Sequence, residues 1–144
     1  MGYTHYWRGL ISSKNSHLLL KDITHLLTTT TTTIKIRGPL GTGQPLITPQ
    51  SISLNGEAED QDSHESLRIP INKAIPFQFC KTARKPYDDV VCAVLLRCLY
   101  YNPYPAFEVS SDGSWEEWTA GRELYRKAFE AEATMPETMT PSWN

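Results

Sequence analysis

The sequence predicts a single α+β domain in which helices cover mainly one face of a mixed β-sheet. The chain has 144 residues, a length that suits one compact domain better than two. Three segments carry apolar residues at helical spacing, and short runs rich in β-branched and aromatic residues lie between them. We assign residues 1–134 to this domain and residues 135–144 to a flexible C-terminal tail.

The chain is predicted to begin with a strand followed by a helix. Residues 3–9 (YTHYWRG) are rich in strand-forming side chains. Residues 19–27 place leucine and isoleucine at the spacing of one helix face. Six threonines follow at residues 28–33, and their β-branched side chains oppose continuation of the helix. This run is therefore either a loop or the lead-in to a strand at residues 33–38 (TIKIRG).

The middle of the chain alternates turns with short strands. Residues 38–50 carry three glycines and three prolines, which is typical of an irregular connection. Residues 51–56 (SISLNG) predict a short strand that ends in an Asn-Gly turn. Residues 57–66 hold five acidic residues and predict a solvated, mobile loop. Residues 67–81 regain strand character, with prolines at 70 and 76 marking breaks or edges.

The last third of the chain has the clearest pattern. Residues 87–101 carry a broad apolar stripe at helical spacing and predict the most buried helix. Residues 106–113 (AFEVSSDG) predict a strand and a turn. Residues 114–133 predict a final helix, which Ser114 and Glu117 open as a capping box.

Composition and charge exclude several classes of partner. The net charge is −2, with 14 basic and 16 acidic side chains, so no overall field attracts nucleic acid or anionic lipid. We therefore do not expect double-stranded nucleic acid as a partner, and any anion site must be local. No apolar stretch is long enough to span a bilayer, and residues 1–10 lack a signal-peptide core, so no membrane partner is expected. Three cysteines without a CxxC pair suit free thiols in a reducing compartment, and we expect a cytoplasmic location.

The most informative prediction is topological. The strand near residues 76–81, the following helix and the strand at 106–110 form a β-α-β unit of about residues 76–110. If the two strands are parallel, their C-terminal ends lie at the same sheet edge, which is the usual ligand site in such units. The segments KTARK and SSDG would then face each other there.

That edge predicts a pocket for a phosphate- or carboxylate-bearing small molecule. A helix N-terminus opens there, and its free N–H groups attract anions. The residues that would bind the anion are Lys81, Thr82, Arg84 and Lys85. Two aromatic residues, Tyr87 and Trp115, would add contacts to the rest of the ligand.

A purely structural interpretation of the same residues is open. Asp88 and Asp89 lie in the first helical turn, where they complement the helix dipole by themselves. They could also pair with Arg84 or Lys85 as surface salt bridges of little energetic consequence. Asp112 could be only a turn residue before a glycine.

Two side chains are candidates for acid/base catalysis, namely His5 and Asp112, if the strands that carry them adjoin. A satisfied structural histidine is the alternative for His5. Cys80 lies beside Lys81 near a helix N-terminus, where a thiol pKa is lowered, so it is either a nucleophile or a buried apolar side chain. No HxxxH, HExxH, Walker or GxGxxG spacing is present, so we expect neither a metal nor an organic cofactor.

Four patches of the sequence resemble a family of small uncharacterised proteins from phage, bacterial and fungal genomes. The patches are GYTHYW at residues 2–7, LNG at 54–56, FCKTARKPYD at 79–88 and SSDGSWEEW at 110–118. They cover about a fifth of the chain. The resemblance implies no activity, substrate, cofactor or catalytic residue, because none is established for that family.

Two functional hypotheses follow from the sequence. The first is a cytoplasmic small-molecule binding protein or enzyme with an anion pocket at the KTARK and SSDG strand ends. The second is a non-enzymatic interaction module, whose aromatic and basic surface meets a protein partner or single-stranded nucleic acid. The reaction, the substrate and the oligomeric state are left open.

Overall fold

The described residues, 2–30 and 33–139 in a computed structural model, contain three α-helices and six strands. The helices are α1 (Ser16–Thr30), α2 (Asp88–Tyr101) and α3 (Thr119–Phe129), and a 3₁₀ turn at Glu116–Trp118 precedes α3. The strands are β1 (Thr4–Gly9), β2 (Leu46–Thr48), β3 (Ser51–Leu54), β4 (Leu67–Pro70), β5 (Ile75–Lys81) and β6 (Phe107–Ser111). The predicted α+β class is confirmed.

The strands form two antiparallel sheets, in the orders β5-β1-β6 and β2-β3-β4. This corrects the expectation of one mixed sheet. The first strand of the chain pairs with β5 on one side and with β6 on the other, antiparallel to both. β5 and β6 are therefore parallel to each other but separated by β1, so the β-α-β unit is split by an inserted strand.

The split unit still brings the predicted strand ends together. In the register of the first sheet, Thr4 lies opposite Lys81, and His5 lies opposite Ser111. The backbone N–H of Thr82 donates to the carbonyl of Tyr3, and that of Asp112 donates to the carbonyl of Thr4, both at 3.0 Å. The ends of β5 and β6 thus flank the start of β1 at one sheet edge.

Helix α2 forms the centre of the hydrophobic core. Eight consecutive residues from Val90 to Arg97 include seven buried apolar side chains, because α2 packs against β6 on one side and against α1 and α3 on the others. Phe107 and Val109 of β6 and Trp7 of β1 face it from the sheet. The prediction that this helix is the most buried one is confirmed.

The threonine run is partly helical, which corrects the expectation of a loop or strand lead-in. Helix α1 continues to Thr30. The hydroxyls of Thr28, Thr29 and Thr30 donate to the carbonyls of Thr24, Leu26 and Leu27, respectively, at 2.9–3.2 Å. These bonds within the helix, together with the burial of Thr30, offset the cost of β-branching. Residues 31 and 32 lie outside the described part of the chain.

The segments that follow also differ from the prediction. Residues 33–38 form no strand; Arg37 makes one isolated antiparallel bridge with Asn55. β2 lies within the stretch predicted to be irregular. The acidic loop is held by side chains from outside it: the amide of Asn55 bonds to both backbone groups of His64 at 3.0 Å, and Arg37 donates to Glu57 at 2.7 Å. The mobility predicted for that loop stays a prediction.

The C-terminal segment contacts the first sheet as far as it is described. Met139 is buried, and the hydroxyl of Thr138 donates to the carbonyl of Val109 in β6. Residues 140–144 of the predicted tail lie outside the described residues. No helix in the described ranges is long and apolar enough to cross a membrane.

Candidate functional site

Five polar side chains converge at the edge where β5 and β6 end. His5 projects inward from β1, because it lies two positions before the buried Trp7 and therefore on the same face of the strand. Asp88 and Cys92 are four residues apart in α2 and therefore share one helix face. Thr82 follows β5, and Ser111 ends β6. His5, Thr82 and Cys92 have at most 1% of their surface exposed.

Hydrogen bonds join four of these side chains into one network. Nε2 of His5 lies 2.6 Å from Oδ1 of Asp88, and Nδ1 lies 2.8 Å from the hydroxyl of Ser111. The hydroxyl of Thr82 donates to the same Asp88 oxygen at 2.5 Å. Ser111, His5 and Asp88 thus form a Ser-His-Asp chain of hydrogen bonds, but with the two ring nitrogens exchanged relative to a catalytic triad, in which Ser bonds Nε2 and Asp bonds Nδ1.

The surroundings of Ser111 assign the protons of that network. Its hydroxyl oxygen already accepts from the backbone N–H of Gly113 at 2.9 Å and from the indole N–H of Trp118 at 3.1 Å. An sp³ oxygen with both lone pairs occupied has only its own proton to offer. Ser111 therefore donates to Nδ1 of His5, and the imidazole N–H lies at Nε2, directed at Asp88.

Cys92 completes the cluster on the side of the helix. Its sulfur lies 3.6 Å from Nε2 of His5 and 3.9 Å from Oδ2 of Asp88. Burial, with a smaller contribution from the Asp88 carboxylate, raises the pKa of this thiol well above its ordinary value. Without a bound cation Cys92 is a protonated thiol and not a nucleophile.

Tyr3 closes the same space from the end of the strand. Its ring packs edge-on against the imidazole of His5, with 5.1 Å between the ring centroids. Its hydroxyl is buried and has no hydrogen-bond partner among the described residues. Burial raises its pKa, and Cys92 and Asp88 add to the effect. Gly113 lies against this hydroxyl so closely that a Cβ atom there would overlap it.

The structure does not bring the two predicted acid/base residues together. His5 is bonded to Ser111 and Asp88, whereas Asp112 lies exposed and accepts hydrogen bonds from the backbone N–H of Thr4 and the hydroxyl of Tyr6. Tyr6 projects to the outer face of the sheet, opposite to His5. Both ring nitrogens of His5 have hydrogen-bond partners, as the alternative of a structural histidine requires.

The four residues of the predicted anion clamp diverge. Lys85 N–H donates to the carbonyl of Thr82 at 3.0 Å across a tight turn, in which Ala83 and Arg84 have φ angles of 53° and 58°. Thr82 points inward to Asp88, and the Lys81 side chain lies beside Gly2. The Arg84 guanidinium stacks 3.8 Å from the centroid of the Tyr3 ring and bonds Glu117 at 2.9 Å.

The start of α2 is occupied by groups of the chain itself. The N–H groups of Asp88 and Asp89 donate to the carbonyls of Lys85 and Pro86. Burial and the neighbouring Asp88 raise the pKa of Asp89 to about 6. The alternative of surface salt bridges between these aspartates and Arg84 or Lys85 is wrong for two of the residues. Asp88 bonds His5, and Arg84 bonds Glu117. The anion pocket at this edge stays a prediction.

The remaining predicted site residues have structural partners. Tyr87 is fully buried and its hydroxyl donates to the Glu65 carbonyl at 2.5 Å. Trp115 is half-buried beneath the guanidinium of Arg122, 4.2 Å from the ring centroid. The thiol of Cys80 donates to the same Glu65 carbonyl at 3.3 Å, and burial raises its pKa to about 12. The expectation that its surroundings lower that pKa is wrong, because burial and, to a smaller extent, the Glu65 carboxylate disfavour the thiolate.

A concave feature with apolar walls lies elsewhere, between the C-terminal half of α2, α3 and residues 131–137. This cavity measures about 320 Å³. Its walls are tyrosines, leucines, prolines and one methionine, and its charged residues are both acidic. The lining is Leu96, Leu99, Tyr100, Pro103, Tyr104, Tyr125, Ala131, Glu132, Thr134, Met135, Pro136 and Glu137.

The outer edge of the first sheet is also apolar. Phe77 and Phe79 of β5 are 55% and 51% exposed, and the ring of Tyr6 stacks on Phe77 with 5.9 Å between centroids. The backbone N–H and carbonyl of Lys81 point away from β1, since they bond to Glu65. By the alternation of a strand, the backbone groups of Phe77 and Phe79 face the same open side.

Sequence reasoning missed Asp88, Cys92, Ser111 and Tyr3 as members of the cluster. The Asp-x-x-x-Cys spacing in α2 was a usable signal, because it places both side chains on one helix face. The position of His5 opposite that face depends on β1 pairing between β5 and β6, which strand periodicity does not specify.

Comparison of the chain with protein-family models, with curated proteins and with solved structures finds no match. The resemblance of the four sequence patches to a phage, bacterial and fungal family stays a prediction. The chain is thus described by its own geometry: an α+β domain with a split β-α-β unit, a buried His–Asp–Cys cluster and a separate apolar cavity.

Proposed function

We propose that the protein binds a small organic molecule with an aromatic or apolar body and a cationic group, in the cavity between α2, α3 and residues 131–137. The observation that carries the proposal is the combination of apolar, tyrosine-rich walls with a purely acidic set of charges. A volume of about 320 Å³ is within the range of small-molecule sites. The small-molecule class predicted from the sequence is kept, with a different site and the opposite ligand charge.

The walls of the cavity are held in place from behind. Arg97 of α2 bonds Asp22 of α1 at 2.9 Å and the hydroxyl of Tyr125 in α3 at 2.9 Å. Its guanidinium also stacks on the ring of Tyr100, 4.1 Å from the centroid. A preformed wall reduces the conformational entropy that the protein loses when a ligand binds.

The exposed rings and carboxylates favour a cation. Tyr100 and Tyr104 are 61% and 48% exposed, which leaves ring surface for a ligand. A cation over an aromatic face gains about 0.5–2 kcal/mol, depending on how far it is desolvated. Glu137 has no ion-pair partner among the described residues, and Glu132 has only a distant one in Arg126, at 3.9 Å.

A matched set of probes tests this function. We expect 2-phenylethylamine to raise the melting temperature of the protein, and 3-phenylpropanoate and 3-phenylpropan-1-ol, which share its aromatic body, to raise it less. Tyr100→Ala and Glu137→Gln should reduce the effect of the amine, whereas Tyr6→Ala, on the distant sheet face, should not. Equal shifts with all three probes, or an unchanged shift in Tyr100→Ala, would contradict the proposal.

The same assay separates the cavity from the predicted anion pocket. Inorganic phosphate should stabilise the wild-type protein and not an Arg84→Ala, Lys81→Ala variant if the strand-end pocket is real. Neither substitution touches the cavity.

Three unpaired thiols agree with the proposed cytoplasmic location.

A second candidate function, an interaction module, is favoured by the free edge of β5. We propose that this edge pairs with β5 of a second copy of the chain. In antiparallel pairing about a two-fold axis at Gln78, Phe77 of each copy lies opposite Phe79 of the other, and both project to the same face. With the axis at Gln78, each phenylalanine of Phe-Gln-Phe therefore lies opposite a phenylalanine of the other copy.

Sedimentation equilibrium tests the second candidate. We expect a concentration-dependent dimer that Phe77→Glu, Phe79→Glu converts to a monomer, because like charges would then lie opposite each other. Leu40→Glu replaces an even more exposed apolar residue elsewhere, 84% exposed, and should leave the dimer intact. A wild-type protein that stays monomeric up to millimolar concentration would rule the pairing out.

A further inference from the structure

We propose that His5, Asp88 and Cys92 form a binding site for a divalent transition-metal ion of the kind that zinc represents. One imidazole nitrogen, one carboxylate and one thiolate are ligands that zinc accepts, and three protein ligands leave one coordination position open. All three ligand atoms lie within 4.8 Å of one another. This site is separate from the cavity and from the β5 edge, and does not depend on either proposed function.

Two of the three separations already suit a shared ion. With Zn–N of about 2.0–2.1 Å and Zn–S of about 2.3 Å, tetrahedral ligands lie about 3.6 Å apart. Nε2 of His5 and the sulfur of Cys92 are 3.6 Å apart, and that sulfur is 3.9 Å from Oδ2 of Asp88. The third separation, 2.6 Å between Nε2 and Oδ1 of Asp88, is a hydrogen bond that the ion would replace.

Tyr3 supplies an independent indication of a missing ligand. Its hydroxyl is buried without a partner among the described residues, at a cost that proteins usually avoid. The ring that carries it packs against the imidazole of His5. An ion with a water molecule in its open position would give this hydroxyl a partner.

Outer hydrogen bonds of the kind that orient metal ligands are present. Ser111 bonds the distal ring nitrogen of His5 at 2.8 Å, and Thr82 bonds the carboxylate of Asp88. Such partners fix the ring orientation and the carboxylate rotamer. Asp88 has 12% of its side chain exposed, so one ligand of the site contacts solvent.

Loading the site moves two protons and releases one. The thiol of Cys92 loses its proton to solvent as the metal–sulfur bond forms. The imidazole stays neutral, since its N–H moves from Nε2 to Nδ1 as Nε2 takes the ion. Ser111 then accepts from Nδ1 instead of donating to it, and gives up one of its two other N–H bonds. We therefore expect one proton released per ion bound.

Titration of the full-length protein with Co²⁺ tests the site directly. We expect one ion per chain, with a thiolate-to-cobalt charge-transfer band in the near ultraviolet and intense visible bands of a four-coordinate ion. Calorimetry of Zn²⁺ binding in buffers of different ionisation enthalpy should give one proton released. A folded wild-type protein that shows no charge-transfer band would overturn the proposal.

Cysteine variants identify the ligand. Cys92→Ser should abolish the band, and Cys92→Ala should do so equally if the serine variant is unstable. Cys98→Ser, which removes a buried thiol from the same helix, and Cys80→Ser should both keep it. Ser111→Ala should weaken Zn²⁺ affinity by roughly 10–100-fold while the band remains. A band that survives in Cys92→Ala, or that disappears in Cys80→Ser, would place the ion elsewhere.

Discussion

Nε2 of His5 lies 2.6 Å from Oδ1 of Asp88, although 83 positions of sequence separate the two residues. The contact joins the first strand of the chain to the first turn of its central helix. Both partners are buried or nearly so. The start of α2 is therefore fixed at the edge of the first sheet by a polar contact and not by apolar packing alone.

Removing the carboxylate of this pair should be costly. We expect Asp88→Ala to lower the free energy of unfolding by about 3–5 kcal/mol, because it leaves a buried imidazole N–H and the hydroxyl of Thr82 without an acceptor. Asp88→Asn keeps an acceptor oxygen and should lose less, about 1–3 kcal/mol. Urea denaturation in the presence of a chelator measures both.

The matched control is an exposed pair on the same sheet. Glu108 accepts from Arg8 at 2.9 Å, and Glu108→Ala should leave the stability nearly unchanged, since exposed ion pairs contribute little. Equal losses in Asp88→Ala and Glu108→Ala would mean that the His5–Asp88 contact has no special role in stability.

Asp89 should make the protein less stable as pH rises from about 4 to about 6. Its pKa is raised from 3.8 to about 6, so in that window the folded state binds more protons than the unfolded state. The free energy of unfolding therefore falls across the window and levels off above it. Allowing for solvent screening, the loss is on the order of 1 kcal/mol.

Replacement of Asp89 isolates that effect. Asp89→Asn cannot titrate and should be more stable than wild type at pH 7 and similar to it near pH 4, as followed by urea denaturation at each pH. Asp60→Asn, in the exposed pair with Lys35, should keep the wild-type profile. A wild-type slope that persists in Asp89→Asn would assign the pH dependence to another group.

Local sequence patterns predicted the elements whose signal lies within a few turns of the chain. One example is the apolar stripe of α2, which repeats at helical spacing. Another is the capping box before the last helix, where Ser114 and Glu117 exchange hydrogen bonds at 3.0 and 3.3 Å. The juxtaposition of the β5 and β6 ends was also predictable, because a helical crossover makes the two strands parallel.

The insertion of β1 between those strands was not predictable from period or propensity. Strand pairing between residues about 75 and 105 positions apart in sequence is decided by which edges the helices leave uncovered, and a single sequence does not state this. The composition of the cluster depends on that pairing, so the sequence alone pairs His5 with Asp112 and leaves Asp88 as a residue that complements the helix dipole or forms a surface salt bridge. The prediction for the threonine run is wrong for another reason. The threonine hydroxyls bond carbonyls of the preceding helical turn, and a helix propensity, which is an average over many contexts, does not show such bonds.

Removing the unpartnered hydroxyl of Tyr3 should stabilise the metal-free protein. A buried polar group without a hydrogen bond costs about 1–3 kcal/mol, and Tyr3→Phe deletes the group while it keeps the ring. We expect a higher free energy of unfolding in chelator, by up to about 1 kcal/mol once the small void is counted. Tyr125→Phe, which deletes a hydroxyl bonded to Arg97, should have the opposite sign in the same thermal or urea measurement. A destabilised Tyr3→Phe would show that its hydroxyl has a partner in solution.

Gly121 should not tolerate alanine, although alanine is the better helix former. It lies in α3 where this helix crosses α2, and a Cβ atom there would be 2.6 Å from Cβ of Cys92 and 2.9 Å from the carbonyl oxygen of Asp89. Helix propensity favours alanine by about 1 kcal/mol, whereas overpacking against a backbone carbonyl costs typically 1–3 kcal/mol or more. We expect Gly121→Ala to lower the free energy of unfolding. The neighbouring Ala120 is exposed, so Ala120→Gly reports propensity alone and should cost about 1 kcal/mol. A Gly121→Ala variant more stable than wild type would mean that α2 and α3 separate at this crossing with little loss of packing, and the position of Cys92 in the cluster would then not depend on α3.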